Sequence, residues 1–145
     1  MIARDIAATN RLAEKLALEI LKDKKTRKGA VVLALVGDLG AGKTTFAQAF
    51  AKALGVKEKI ASPTFLIMRS YKPAGKNYKL FYHIDAYRLN SSRELLDLGF
   101  ADLLKDPANI ILIEWADKIK DILPADVRWL RFSHGEKEGE RVIDH

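Results

Sequence analysis

The chain contains no cysteine. That absence excludes a disulfide framework, a thiolate zinc site and a cysteine nucleophile together, and it suits a reducing cytosol. Nor does any apolar run approach the roughly 18–20 residues that cross a bilayer. Residues 1–16 carry charges throughout and lack the apolar stretch and small cleavage residues of a signal peptide. A cytoplasmic location is therefore expected. No asparagine is followed by lysine, so the Asn-Lys-x-Asp pattern that reads guanine is missing. Arginines are scattered, lysine predominates, and no insertion is long enough to form an arginine-rich lid. No internal repeat, linker or low-complexity segment interrupts the chain.

What remains is a sequence of 145 residues, 48% hydrophobic and 30% charged. It is long enough to bury a real core and short for a second large domain. We expect one domain over residues 1–145. The net charge of +6 permits contact with nucleic acid or an acidic protein surface. Much of that charge lies in residues 22–28, which also read as a solvated loop.

Residues 9–22 predict an amphipathic helix, with Leu12, Leu16, Ile20 and Ala13, Ala17, Leu21 at helical spacing and Thr9 as N-cap. Ala30–Val36 contains no polar residue, as in a strand buried on both faces of a parallel sheet. A helix follows from Thr44 and closes at Gly55. Two β-patterned runs, residues 65–71 and 78–84, flank a turn-rich segment and predict a hairpin. Ser91 and Glu94 have capping-box spacing before a short helix that stops at Gly99. Residues 109–115 predict a second buried strand. A short helix to Leu123 and a closing strand around Trp129–Phe132 complete the chain. The expected fold is α/β, a phosphate-loop NTPase-like domain with a central, mainly parallel sheet flanked by helices and an antiparallel hairpin.

Between the buried strand and the second helix lies Gly37-Asp38-Leu39-Gly40-Ala41-Gly42-Lys43-Thr44-Thr45. This stretch satisfies the phosphate-loop pattern in its required strand-to-helix context. Glycines let consecutive backbone N–H groups curl around an anion. The helix start adds unsatisfied N–H groups and the positive end of its dipole. Lys43 supplies a mobile charge for the β- and γ-phosphates, and the Thr44 hydroxyl can ligate Mg²⁺. The sequence thus predicts a bound nucleoside triphosphate with magnesium. The missing guanine-reading motif favours ATP.

A magnesium shell also calls for a carboxylate at the end of a neighbouring buried strand, and Asp85 and Glu114 both occupy such positions. A charge there is costly unless a cation answers it. The alternatives are a helix cap or a surface ion pair, and for Asp85 a local pairing with Arg88. Thr64, in the Ser-Pro-Thr-Phe segment, is placed like the switch threonine of nucleotide hydrolases, although Ser-Pro-Thr is also an ordinary turn. Pro63 fixes the backbone before it. His83, on a strand with Phe81 and Ile84, reads as a packed residue, a hydrogen-bonded core or half-exposed histidine rather than a catalytic one. Trp115 and Trp129 read as core residues, with Trp115 close to the site through its neighbour Glu114.

Gly37–Thr45, the Ser62–Phe65 segment, residues 82–89 (Tyr-His-Ile-Asp-Ala-Tyr-Arg-Leu), residues 94–100 and Leu112–Trp115 together resemble the bacterial TsaE family, also called YjeE, in order and spacing. The resemblance runs from Thr9 to about Pro124. It implies a small ATPase needed for threonylcarbamoyladenosine at position 37 of tRNAs that read codons beginning with A. The group transfer itself would belong to a TsaD–TsaB complex, which this chain would bind and reset, with tRNA as an indirect substrate. The same resemblance implies that Lys43 and the loop amides hold phosphates and that Thr44 and Glu114 hold magnesium. Thr64 and Asp85 would lie near the γ-phosphate, and Trp115 beside Glu114 at the nucleotide. Ala116-Asp117 departs from the family's usual continuation after Glu-Trp, and the C-terminus matches loosely, with Arg141 a further residue within reach of nucleotide. Two other readings of the residues stand beside this one: a small-molecule kinase using the same loop, and a tRNA-binding module whose lysines contact phosphates.

Overall fold

The computed structural model describes residues 1–23, 27–38, 40–60 and 66–145. Its centre is a seven-stranded sheet ordered β1 (Ile2–Ala3), β7 (Arg141–Asp144), β6 (Arg128–His134), β2 (Val31–Gly37), β5 (Asn109–Glu114), β4 (Leu80–Asp85), β3 (Met68–Tyr71). The inner strands β6, β2, β5 and β4 run parallel. Both edges are antiparallel, β3 on β4 at one side and β7 with β1 at the other. The predicted hairpin is therefore present. A second hairpin, β6–β7, was not expected, so the strand around Trp129–Phe132 does not close the sheet. It continues through Gly135 into β7, which then pairs with β1.

The apolar strand β2 is sandwiched as its composition requires. Leu33 and Leu35 face a layer made by helices α1 (Ile6–Lys22) and α2 (Lys43–Ala53). Val32, Ala34 and Val36 face the other layer, with helices α3 (Ser92–Asp97) and α4 (Phe100–Lys105) and a 3₁₀ segment, Ala116–Ile122. The same alternation sorts β5, with Ile110 and Leu112 toward α1 and α2, and Ile111 and Ile113 toward the opposite layer. Glu114 continues the first series and so ends β5 on the α2 side. In β4, Phe81 belongs to the α1/α2 layer and Ile84 to the other, which places His83 and Asp85 on the same side as Glu114.

Helix α1 buries Leu12, Ala13, Leu16, Ala17 and Ile20, the predicted stripe. It begins earlier than expected, however. Asp5 is the N-cap and its carboxylate accepts from the Ala8 N–H at 2.8 Å. Thr9, only 3% exposed, lies inside the helix. Both residue types can cap, and burial of Ala8 and Thr9 against the sheet decides for Asp5. Ser91 stands at the N-cap of α3 without a side-chain cap bond, while Glu94 reaches back to the Asn90 N–H. The segment after Gly99 forms α4, a helix that the short pattern did not announce. Among the described residues no helix is long and apolar enough to cross a membrane.

Candidate functional site

The site lies at the carboxyl ends of β2, β5 and β4, where α/β sheets place their ligand crevices. Gly37 ends β2 with φ 131°, and a Cβ there would meet the Phe132 carbonyl oxygen at 1.9 Å. Only glycine allows the loop to leave the sheet against β6. Gly42 adopts a left-handed conformation, φ 98°, and turns the chain into α2 as its N-cap. No side chain caps that helix, so its first N–H groups point outward for an anion. Ala41 is buried in the core and offers only its backbone. Leu39 and Thr64 lie outside the described residues.

Lys43 is 5% exposed, and its ammonium donates to the carbonyls of Gly37 at 2.6 Å and Asp38 at 3.0 Å. It also lies 4.3 Å from the ring centroid of Trp115, within cation–π range. Burial lowers the Lys43 ammonium below the ordinary lysine range, against the opposing pull of Glu114, Asp38, Asp117 and Asp85. Trp115 holds this place because its backbone is left-handed, φ 58° and ψ 38°, unusual for a residue other than glycine. That turn directs the ring back over the loop. Tyr87 packs against the same Trp115 ring, with 5.0 Å between centroids. Both tryptophans are half-buried against the layer with α3 and α4, and of the two Trp115 lines the site.

Glu114 is 3% exposed and has both oxygens engaged. The Thr44 hydroxyl donates to Oε1 at 3.3 Å, and the His83 Nε2 lies 2.6 Å from Oε2. His83 is thus the hydrogen-bonded core histidine that its strand allowed, and its partner is Glu114. Asp85 pairs directly with Glu114 in the parallel register of β4 and β5. Its Oδ1 accepts from the Tyr87 N–H at 3.0 Å, and among the described residues it forms no ion pair with Arg88. Burial raises the Asp85 carboxyl above the ordinary range, partly offset by the Tyr87 bond, and the Glu114 charge adds to the rise.

These groups share one cavity of ≈ 530 Å³. It brings together Gly40, Gly42, Lys43, Thr44, Thr45, Asp85, Glu114 and Trp115, predicted residues from three separate segments. Gly37 and Asp38 lie beneath it, acting through their carbonyls on Lys43. Arg141 on β7, named above as within reach of nucleotide, also lines the cavity and passes 3.9 Å from where a Gly42 Cβ would stand. Asp5, the N-cap of α1, lines the cavity too and was not anticipated there. Period-two counting could have found His83: His83 and Asp85, like Leu112 and Glu114, are two apart on adjacent strands and so share a face.

A cradle of backbone N–H groups, one ammonium, one hydroxyl and two carboxylates can receive a polyphosphate and the cation that accompanies it. A family model described as threonylcarbamoyl adenosine biosynthesis protein TsaE matches residues 3–143. The chain belongs to the TsaE family. It is 41% identical over 118 residues to the tRNA threonylcarbamoyladenosine biosynthesis protein TsaE of Haemophilus influenzae, a match covering 81% of this chain and 71% of that one. The TsaE protein of Rickettsia felis is 39% identical over 124 residues, covering 85% and 66%. The matched region thus spans about two thirds of these relatives' own length. The TsaE fold is also seen in the crystal structure of YdiB from Bacillus subtilis, with a TM-score of 0.71 and 30% identity over 99% of this chain and 80% of that one.

Proposed function

We propose that this chain binds ATP with Mg²⁺ in the cytoplasm and hydrolyses it slowly, as the ATPase component of tRNA threonylcarbamoyladenosine synthesis. Family membership supports the pathway. The observation that carries the chemistry is the meeting of the Thr44 hydroxyl and the Glu114 carboxylate beside the loop and Lys43. Mg²⁺ keeps most of its shell as water and phosphate oxygens and needs few protein groups. One hydroxyl and one buried carboxylate fit that demand. Among the described residues there is no cluster of three metal-ligating side chains that would suit a protein-caged ion instead.

The roles divide by what each group already holds. Loop amides and the α2 N-terminus bind phosphate oxygens, and Lys43 leaves its two carbonyls to join them. Bound Mg²⁺ would offset charge on the β- and γ-phosphates. Glu114, braced on both oxygens, serves the metal with Thr44. Asp85 lines the cavity with one oxygen tied to the Tyr87 N–H, and it orients the attacking water. Trp115 covers Lys43 and the nucleotide on that side.

The partner is a TsaD–TsaB complex, with tRNA reached through it. Hydrolysis by the wild-type chain should be slow alone and rise at least about tenfold with TsaD–TsaB. Glu114→Ala should lose about 100-fold of the stimulated rate, since the metal would lose its protein carboxylate. Fast basal turnover that added TsaD–TsaB leaves unchanged would refute the partner-coupled reading.

A further inference from the structure

Glu114 ends β5 directly after the apolar run Ile110–Ile113, and something must decide which way its carboxylate points. His83 is 1% exposed and stands one strand away, opposite Leu112 in the parallel register. Its Nε2 lies 2.6 Å from Glu114 Oε2, while its Nδ1 is buried and has no hydrogen-bond partner among the described residues. Facing an ionised carboxylate, Nε2 must carry the proton and donate. Among the described residues nothing bonds Nδ1, so Glu114 holds the ring from one side only. Because no described group continues the chain beyond Nδ1, none there receives a proton from His83. The ring ends the described network.

We propose that His83 is a positioning residue, whose single bond to Glu114 Oε2 turns Oε1 toward Thr44 and presets the carboxylate for the metal that accompanies the triphosphate. The inference rests on the magnesium–triphosphate reading of the site. It gives a fully buried imidazole a use at a position where leucine would otherwise pack. Carboxylates that serve a metal depend on such outer partners, and losing one typically weakens metal binding by about 10–100-fold.

The test uses the full chain, a fluorescent ATP analogue and a magnesium titration, with urea unfolding of every variant. His83→Leu removes the donor at similar volume, and His83→Gln restores a side-chain N–H. With His83→Leu, the Mg²⁺ concentration for half-maximal enhancement of analogue binding should rise at least about tenfold. Analogue affinity in EDTA should change less than about twofold, because the loop and Lys43 are untouched. His83→Gln should return the Mg²⁺ requirement to within about threefold of wild type. A His83→Leu chain with wild-type Mg²⁺ dependence overturns the proposal. So does one whose affinity falls equally with Mg²⁺ and with EDTA, the result of a merely structural role. Should His83→Leu not fold, His83→Gln decides: a folded variant needing tenfold more Mg²⁺ refutes the brace. If the wild-type chain itself binds the analogue identically with Mg²⁺ and EDTA, the magnesium site fails first and His83 with it.

Discussion

Replacing Gly37 by alanine should separate steric exclusion from backbone preference in one measurement. A Cβ at this position would stand 1.9 Å from the Phe132 carbonyl oxygen and 2.7 Å from its carbon. The neighbouring strand must retreat by about 1 Å, against the close packing of a protein interior. Gly37 and Phe132 face each other in the β2–β6 register, and the Asp38 N–H donates to that same carbonyl at 3.2 Å. Moving the carbonyl therefore weakens a bond worth about 1 kcal/mol. The unfavourable φ of an alanine there adds about 1–3 kcal/mol. Together the loss should be about 2–4 kcal/mol, lowering Tm by roughly 6–12 °C. Gly75 supplies the control: its φ is also positive, 86°, but a Cβ there meets nothing within 4 Å. Gly75→Ala should lose only about 1 kcal/mol. Urea unfolding of both variants, with free energies extrapolated to water, checks the difference. Equal losses would refute the steric argument. Since the Gly37 carbonyl also holds Lys43, Gly37→Ala should weaken triphosphate binding at least about tenfold even where it folds.

Two further outcomes follow from the site. Asp85→Asn should stabilise the chain at neutral pH while slowing hydrolysis about 100-fold. The folded state holds the Asp85 proton more tightly than the ordinary value of 3.8 implies, so wild-type stability falls as pH rises through the raised value. The Tm advantage of the variant should therefore be present at pH 7.5 and shrink toward pH 4; a constant advantage would show that the charge is not its source. With only two tryptophans in the chain, fluorescence can report the loop. Trp129→Phe should keep the emission change on adding ATP and Mg²⁺, and Trp115→Phe should abolish it. A signal surviving in Trp115→Phe would contradict the placement of that ring over Lys43.

Much of the architecture was legible because its signals are local. The unbroken apolar run of β2, the glycine loop and the helix after it specify one another within about twenty residues, and β5 repeats the apolar signature. The resemblance then linked the loop to Asp85 and Glu114, and the structure brings those segments into one cavity. What escaped was set by distant partners. Arg141–Asp144 becomes a strand because β6 and β1 flank it, with Met1 and Ile143 exchanging backbone bonds, and nothing in four residues encodes that. Asp5 and Thr9 are both capable caps, and only packing against the sheet chooses between them. His83 looked apolar by its neighbours in sequence; its partner is thirty-one positions away. The left-handed turn at Trp115 likewise has no glycine to announce it.

The alternation of β5 between two packed layers has a consequence for how this site can change. Residues in that strand have only two addresses, and both are occupied by core. Glu114 cannot be nudged toward the cation by an ångström or two through an inserted or deleted residue. A single-residue slip would exchange it with Ile113, delivering a methyl group to Thr44 and a carboxylate to the opposite layer. Length changes in β5 could be accommodated only in pairs. The position of the carboxylate is quantised by the pleat, and fine adjustment is left to the side chains that hold it.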